Sequence, residues 1–349
     1  MYKIGIIGTG MIAEKHLEAI AKEPRMEATW LVNRGEKKLR RVQEKFGVAK
    51  ATTNYADMLA DPDLDAVLIC TPPHLHKEMF IQAIEAGKHV LLEKPAAMSI
   101  PEVDEMIRKQ QERPDLIVCD CSARHARLQP KYTLVKEVID SGALGGIYYV
   151  HHNSLWRNGR PGIEYHPEAK WFMDKAVAGG GPLFDWGVYD LSFHLGVLGD
   201  RPELISVSDV MLTSGLDDFD PGDYVYNVEE MFAVHLLLTN GVRYFWERGN
   251  HANMDVPNET RIYGTKAGLK FGFCSWDAPV VHLYDYDENG TSRHAAIPVE
   301  MKGHSDDDAL IRHFADCLER KEKPAMPLEL ARKHLEIIFT CYGKAENEQ

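Results

Sequence analysis

Lys3-Ile4-Gly5-Ile6-Ile7-Gly8-Thr9-Gly10-Met11-Ile12-Ala13 runs a short apolar segment into two glycines and then into the helical spacing of Glu14 to Lys22. The apolar segment reads as a buried strand. Each small residue of the Gly-x-Gly-x-x-Ala order then has a task. Gly8 makes the tight turn, Gly10 lets backbone approach a pyrophosphate, and Ala13 lets the helix pack closely on the sheet. The first turn, at Met11 and Ile12, offers unpaired N–H groups and a partial positive charge to the phosphates. A strand, glycine turn and helix in this order predict a dinucleotide site.

Outward from this segment the alternation continues. Strands are predicted at Ala28 to Asn33, Ala66 to Cys70, His89 to Glu93 and Leu116 to Cys119, with helices at Glu36 to Phe46, Lys77 to Ala86 and Pro101 to Gln111 between them. Continuous apolar strands separated by helices imply an α/β unit, a doubly wound parallel sheet covered on both faces. We assign residues 1–122 to this Rossmann domain. From 123 to 349 the texture changes to an α+β domain. A helix at Pro130 to Ser141 precedes alternating runs at Ile147 to Leu155, Leu204 to Leu212, Glu229 to Thr239, Val242 to Arg248, Glu259 to Tyr263, Leu269 to Phe273 and Val280 to Tyr286. Turn pairs such as Asn240-Gly241 and Asn289-Gly290 point to a large, mainly antiparallel open sheet. Helices at Asp307 to Arg320 and Leu328 to Tyr342 close the chain.

A length of 349 residues exceeds what one core usually supports, in keeping with two domains. The formal charge of -13, with Lys and Arg scattered, excludes the basic face that a nucleic-acid partner requires. No apolar run of spanning length and no secretory leader pattern is seen, so no membrane partner and a cytoplasmic location are expected. Cysteines at 70, 119, 121, 274, 317 and 341 form neither a disulfide framework nor a paired zinc pattern. They are read as buried thiols, and no metal is expected; Cys119 and Cys121 share one strand face.

The strand ends carry the chemistry, because open α/β sheets bind ligands there. Where a carboxylate would take the ribose 2′-hydroxyl of NAD, the second strand ends in Asn33-Arg34. Asn33 can donate to a 2′-phosphate and Arg34 can pair with it, with Lys37 and Lys38 adding positive potential. NADP(H) is therefore favoured, with NAD(H) the alternative if Arg34 only stacks on adenine. Thr71-Pro72-Pro73-His74 forms a stiff shelf for the cofactor, and His76 follows in an H-x-H spacing without an acidic or thiol partner nearby. Glu93-Lys94-Pro95 ends the next strand. Lys94 can hydrogen-bond a substrate hydroxyl and stabilise an alkoxide, with Glu93 orienting it.

Taken in order, the glycine motif, Thr71-Pro72-Pro73, Ala86-Gly87-Lys88-His89-Val90-Leu91-Leu92-Glu93-Lys94-Pro95 and Gly179-Gly180-Gly181-Pro182-Leu183-Phe184-Asp185-Trp186-Gly187-Val188-Tyr189 resemble the Gfo/Idh/MocA family of glucose-fructose oxidoreductase and inositol dehydrogenase. Ile262-Tyr263-Gly264-Thr265-Lys266-Ala267-Gly268 extends the likeness toward the closing helices. The resemblance implies an NAD(P)-dependent dehydrogenase or reductase acting on a sugar, polyol or cyclitol. It also implies a homodimer or homotetramer assembled through the open sheet. Two other activities belong to the fold: glycoside hydrolysis with transient oxidation, and non-catalytic cofactor sensing.

Lys94 matches the family's catalytic lysine and Asp185 the Asp of its D-x-G-x-H signature, where Tyr189 replaces the His and Ser192 the later Asp. At i, i+4 and i+7 these three share one helical face. Tyr189 is either the base, its phenol lowered by a lysine ammonium, or a hydrogen-bonding group while Lys94 or Asp185 handles the proton. Trp156, Arg157 and His166 offer aromatic faces and donors suited to a sugar. Arg127 falls where the family shows an Asn-x-Arg-Phe-x-Pro segment.

Overall fold

Apolar runs buried on both faces build the first sheet. In the computed structural model, which describes residues 1–301 and 303–348, these are β1 (Tyr2–Ile7), β2 (Met26–Val32), β3 (Lys50–Thr52), β4 (Ala66–Ile69), β5 (His89–Leu92) and β6 (Val118–Asp120). All neighbours pair in parallel in the order β3-β2-β1-β4-β5-β6. β4 is Ala-Val-Leu-Ile and buried at every position. Such strands need helices on both sides, which α1 (Met11–Ile20), α2 (Glu36–Phe46), α3 (Tyr55–Leu59), α4 (His76–Glu85) and α5 (Ile100–Gln111) supply. β3 and α3 lie beyond the predicted elements, since three and five residues are too short to show a period.

The later part holds α6 (Pro130–Asp140), β7 (Ile147–Leu155), α7 (Lys175–Ala178), α8 (Pro182–Asp185), α9 (Gly187–Val197), β8 (Leu204–Thr213), β9 (Met231–Leu238), β10 (Arg243–Gly249), β11 (Glu259–Gly264), β12 (Ala267–Phe271), β13 (Val280–Tyr286), β14 (Ser292–Pro298), α10 (Asp306–Leu318) and α11 (Leu328–Glu348). Eight strands form one sheet in the order β14-β13-β12-β11-β7-β10-β9-β8. Only β7 and β10 pair in parallel; the other neighbours are antiparallel. This is the mainly antiparallel sheet expected. β14 escapes a pattern reading because nearly all of it is exposed and its sequence, Ser-Arg-His-Ala-Ala-Ile-Pro, does not alternate.

Alternation along β10 buries Tyr244, Trp246 and Arg248 on one side. α9 is buried at all 11 positions, and Trp246 and Arg248 both hydrogen-bond its Asp190. By register, the opposite face carries His235, Phe245, His151, Arg261, Lys270 and His282 in a row across the strands.

The chain divides into two compact units, residues 1–124 with 304–333 and residues 125–303 with 334 onward. The expected second domain, 123–349, thus gives up α10 to the first unit, and its final residue lies outside the described residues. Charge explains the return. Lys22 donates to both carboxylate oxygens of Asp308 at 2.9 and 3.0 Å. Arg25 reaches Asp316 at 2.5 Å and Glu319 at 2.9 Å. No helix among the described residues is long and apolar enough to cross a membrane, and all six cysteines are free and buried.

Candidate active site

In the first unit the parallel register brings four motifs to one sheet edge. Ile7 pairs with Val32 and Ile69, and Ile69 with Leu92, so Gly8, Asn33, Thr71 and Glu93-Lys94 all emerge at neighbouring carboxyl ends. The strand order reverses at β1, which is where dinucleotides bind such sheets. Gly8 has a φ of +96°, and a Cβ there would stand 2.5 Å from the Cys70 carbonyl oxygen. Only glycine fits. At Gly10 a Cβ would meet nothing within 4 Å, so the protein does not itself require a glycine; the room in front of α1 does. Gly10 caps α1 without a side-chain acceptor, and Thr9 Oγ1 is buried without a hydrogen-bond partner among the described residues. Free backbone donors, an orphaned hydroxyl and open space fit a pyrophosphate.

At the end of β2, Asn33 Nδ2 donates to the Gly35 carbonyl at 3.0 Å. Arg34, Lys37 and Lys38 are exposed and make no ion pair among the described residues. Thr71 and Pro72 line the following loop and His74 is exposed beside them. His76 does not share that position. It is fully buried, with Nδ1 2.9 Å from the Pro95 carbonyl and Nε2 2.8 Å from the Thr71 carbonyl. Burial lowers its pKa, and a neutral ring donates to only one of the two oxygens. It ties the Thr71 loop to the Lys94 loop, where the sequence analysis expects it at the cofactor.

Glu93 is likewise a holding group. Its Oε1 accepts from His16 Nε2 at 2.7 Å and from Arg124 Nη1 at 2.8 Å, and its Oε2 accepts the Lys94 backbone N–H at 3.1 Å. Burial alone would raise its pKa, but Arg124 and His16 outweigh burial and hold it well below the usual carboxylate range. Glu93 is 4% exposed, with both oxygens committed, one of them to the Lys94 backbone.

In the second unit the predicted site face is interrupted and yet preserved. α8 ends at Asp185 and α9 begins at Gly187, with Trp186 between them at φ -99° and ψ -25°. The Trp186 carbonyl accepts from Tyr189 N–H at 2.9 Å and Asp190 N–H at 3.2 Å, so the turn stays helical. Asp185 lines a small cleft of about 20 Å³ with Arg160, Phe172, Tyr226, Glu230 and Asn250 among its walls. Trp156, Arg157 and His166 are not among the lining residues. Trp156 donates its indole N–H to Ser154 Oγ at 3.1 Å, Arg157 is exposed, and His166 sits 3.4 Å from Glu168.

Tyr189 is 1% exposed. Its ring meets His125 edge-on at 5.0 Å and Trp186 at 5.3 Å, and His125 also meets Trp276 at 5.5 Å. Trp276 is 55% exposed, so this aromatic group, which motif reading missed, reaches solvent. Arg127, expected at the substrate, has protein partners in this structure. Its guanidinium grips both Asp200 oxygens at 2.7 and 2.5 Å, and its Nε donates to Ser192 Oγ at 3.3 Å. Arg127 clamps the end of α9, and Ser192 is spent with it.

Beneath α9 lies a polar network that no motif announced. Asp190 accepts from Arg248 at 2.6 and 3.0 Å and from Trp246 Nε1 at 2.8 Å. His152 Nε2 stands 3.3 Å from Asp190 Oδ1 and 3.5 Å from Arg248 Nη2. From there the contacts run on: His152 Nδ1 is 2.9 Å from Thr260 Oγ1, His194 Nε2 is 3.0 Å from the same oxygen, and His194 Nδ1 is 2.8 Å from the Tyr244 hydroxyl. Burial, then His152, keeps His194 well below its ordinary pKa, as a neutral ring in this chain requires. The one available signal was Asp190 itself, a charge inside an otherwise apolar helix.

Comparison with known proteins shows the family and the fold. Residues 2–120 match the Gfo/Idh/MocA model described as an oxidoreductase family with an NAD-binding Rossmann fold, and residues 132–270 match the Gfo/Idh/MocA C-terminal domain. The D-glucoside 3-dehydrogenase of Escherichia coli (strain K12) is 30% identical over 356 residues, covering 99% of this chain and 95% of that protein. An uncharacterized oxidoreductase of Rhizobium meliloti, ORF334, is 31% identical over 244 residues, 69% of this chain and 66% of that protein. Levoglucosan dehydrogenase in complex with NADH and levoglucosan has the same fold, with a TM-score of 0.83 at 21% identity, over 100% of this chain and 98% of that one.

Proposed function

The chain belongs to the Gfo/Idh/MocA family of NAD-binding oxidoreductases, and we propose that it transfers a hydride between a nicotinamide cofactor and a hydroxyl-bearing carbon of a sugar, polyol or cyclitol. The observation that carries this reading is the shared sheet edge in the first unit, where the glycine loop after β1 and the Lys94 strand end after β5 emerge together. The glucoside dehydrogenase relative supports the substrate class.

When bound, the cofactor supplies the acceptor or donor of the hydride at its nicotinamide ring. Gly8, Gly10, Met11 and Ile12 would hold its pyrophosphate, and Thr71, Pro72 and His74 the wall beyond. Lys94 hydrogen-bonds the reacting hydroxyl and, as an ammonium, stabilises the alkoxide as the bond to hydrogen breaks. Glu93 fixes the Lys94 backbone through the bond at 3.1 Å. Asp185 and Tyr189 are assigned to the substrate from the second unit, and the ring group of His125, Trp186 and Trp276 to the apolar face of a sugar. NADP(H) is the preferred cofactor, because β2 ends without an acid and Arg34 is exposed and makes no ion pair among the described residues. The open face of the large sheet, with Phe245 and His282, is assigned to contact between copies of this chain in the cytoplasm.

The test is a screen of NAD+ and NADP+ against sugars, polyols and cyclitols, read at the absorbance of the reduced cofactor, with Lys94→Ala beside the wild type. Turnover on one hydroxylated substrate that falls by about 10²-fold or more in Lys94→Ala is expected. Full turnover in that variant would remove Lys94 from the chemistry.

A further inference from the structure

Cys119 on β6, with His313 and Cys317 on α10, stands outside every role described above. His313 and Cys317 are four residues apart, so one helical face presents both. Cys119 Sγ, Cys317 Sγ and His313 Nε2 lie within 4.8 Å of one another, and the last two are 3.4 Å apart. The three residues are 2%, 0% and 7% exposed. Glu322 Oε2 stands 2.8 Å from His313 Nδ1, and a carboxylate accepts, so Nδ1 carries the proton. Nε2 therefore turns its lone pair inward, where it accepts the Ala325 N–H at 2.9 Å.

We propose that these side chains form a zinc site in the first unit, with Cys119, His313 and Cys317 as ligands and Glu322 as the carboxylate that orients the imidazole. Two sulfurs and an imidazole nitrogen select a thiophilic ion such as Zn2+ over Mg2+ or Ca2+, which take oxygen ligands. Zinc bonds of about 2.3 Å to sulfur and 2.0–2.1 Å to nitrogen place tetrahedral ligand atoms roughly 3.5–3.8 Å apart. The separation of 3.4 Å between Cys317 Sγ and His313 Nε2 is already close to that. A histidine that donates its far nitrogen to a carboxylate is the usual outer arrangement of such sites. The Ala325 N–H yields its place to the ion. Ala325 follows the exposed segment 319–323 and precedes Met326, whose carbonyl accepts the Asp120 N–H of β6 at 3.0 Å, so the peptide turns about that anchor. Binding one Zn2+ releases two protons, one from each thiol, and leaves a water in the fourth position. The ion pins α10 to the edge strand of the Rossmann sheet, a task that the pattern of buried thiols in the sequence does not suggest.

The experiment strips the full-length protein with EDTA under reductant, then titrates it with Zn2+ against a chromophoric chelator and with Co2+ as a spectroscopic probe. One equivalent of Zn2+ per chain is expected, and Co2+ should show a thiolate charge-transfer band with tetrahedral d–d bands. Cys119→Ser and Cys317→Ser should abolish that band, while Cys341→Ser, also a buried thiol, should keep it. The exposed Glu322→Gln change spares the core and should weaken Zn2+ binding about 10-fold or more. In the wild-type chain, Zn2+ should protect two of the six thiols from alkylation. A Co2+ spectrum without the thiolate band, Zn2+ affinity unmoved by Glu322→Gln, or alkylation of all thiols at equal rates would each overturn the site.

Discussion

Glu93→Gln keeps the volume of the side chain and deletes its charge. In the wild type, Arg124 Nη1 and His16 Nε2 both donate to Oε1, at 2.8 and 2.7 Å. The amide oxygen of Gln can serve one donor, but its NH2 then confronts another. Removing one member of a buried ion pair costs roughly 3–5 kcal/mol, because the remaining charge is left without compensation. Asp307, 3.3 Å from the same Arg124 nitrogen, retains part of the pairing, so about 3 kcal/mol is expected. In urea this lowers the unfolding midpoint by on the order of 1 M. The second readout is catalytic. Losing the anchor of the Lys94 N–H misplaces the ammonium, and a displacement of about 1 Å costs on the order of 10²-fold in kcat. The pH dependence has a sign. The folded carboxyl is held below its unfolded value, mainly by Arg124 against the opposing effect of burial. Its contribution is therefore complete above about pH 4.3 and lost as the pH falls toward the folded value, and the Gln variant lacks this acid-side loss. A variant with wild-type urea midpoint and wild-type kcat would refute the claim that the Glu93 charge positions Lys94.

Three further outcomes are expected. Asn33→Asp should shift the preference from NADP+ toward NAD+, since an acid at the end of β2 repels a 2′-phosphate and accepts from a 2′-hydroxyl; an unchanged ratio of kcat/KM for the two cofactors would remove Arg34 as the discriminating residue. Arg127→Met should cost about 1–2 kcal/mol in urea unfolding through the lost Asp200 clamp, with KM for the sugar unaltered; a raised KM and unaltered stability would return Arg127 to the substrate. Asp120 has the opposite linkage to Glu93. Burial pushes its carboxyl up to about 6, so the folded state holds a proton that the unfolded state has lost, and stability falls as pH rises from about 4 to 6 by roughly 3 kcal/mol. Asp120→Asn should remove that slope, which urea midpoints measured between these pH values would show.

What the sequence made legible was whatever depends on neighbours in the chain. Strand and helix periods gave the parallel sheet, and the glycine spacing gave the turn at Gly8, whose φ of +96° no other residue adopts easily. The failures share a physical cause, which is distance. Arg127 meets Asp200 across 73 positions, and Arg25 meets Asp316 across 291. A free-standing Arg and one already committed to a carboxylate look alike until the chain is folded. The two carbonyl partners of His76 were hidden for the same reason, because they are fixed by loops that periodicity does not describe.

Asp190 shows how such a distant partner bears on the site. Its carboxylate ends a buried run of hydrogen bonds that links Tyr244, His194, Thr260 and His152. Breaking any link would leave a polar group unsatisfied in a dry interior, at a cost of about 1–3 kcal/mol per unsatisfied group. The chain therefore admits one position of α9 against β7, β10 and β11. Tyr189 precedes Asp190 by one residue on that helix, so the network that buries Asp190 also sets where the phenol points. The motif supplies the chemical group at Tyr189, and three residues drawn from three distant strands, with His194 of the same helix, supply its aim.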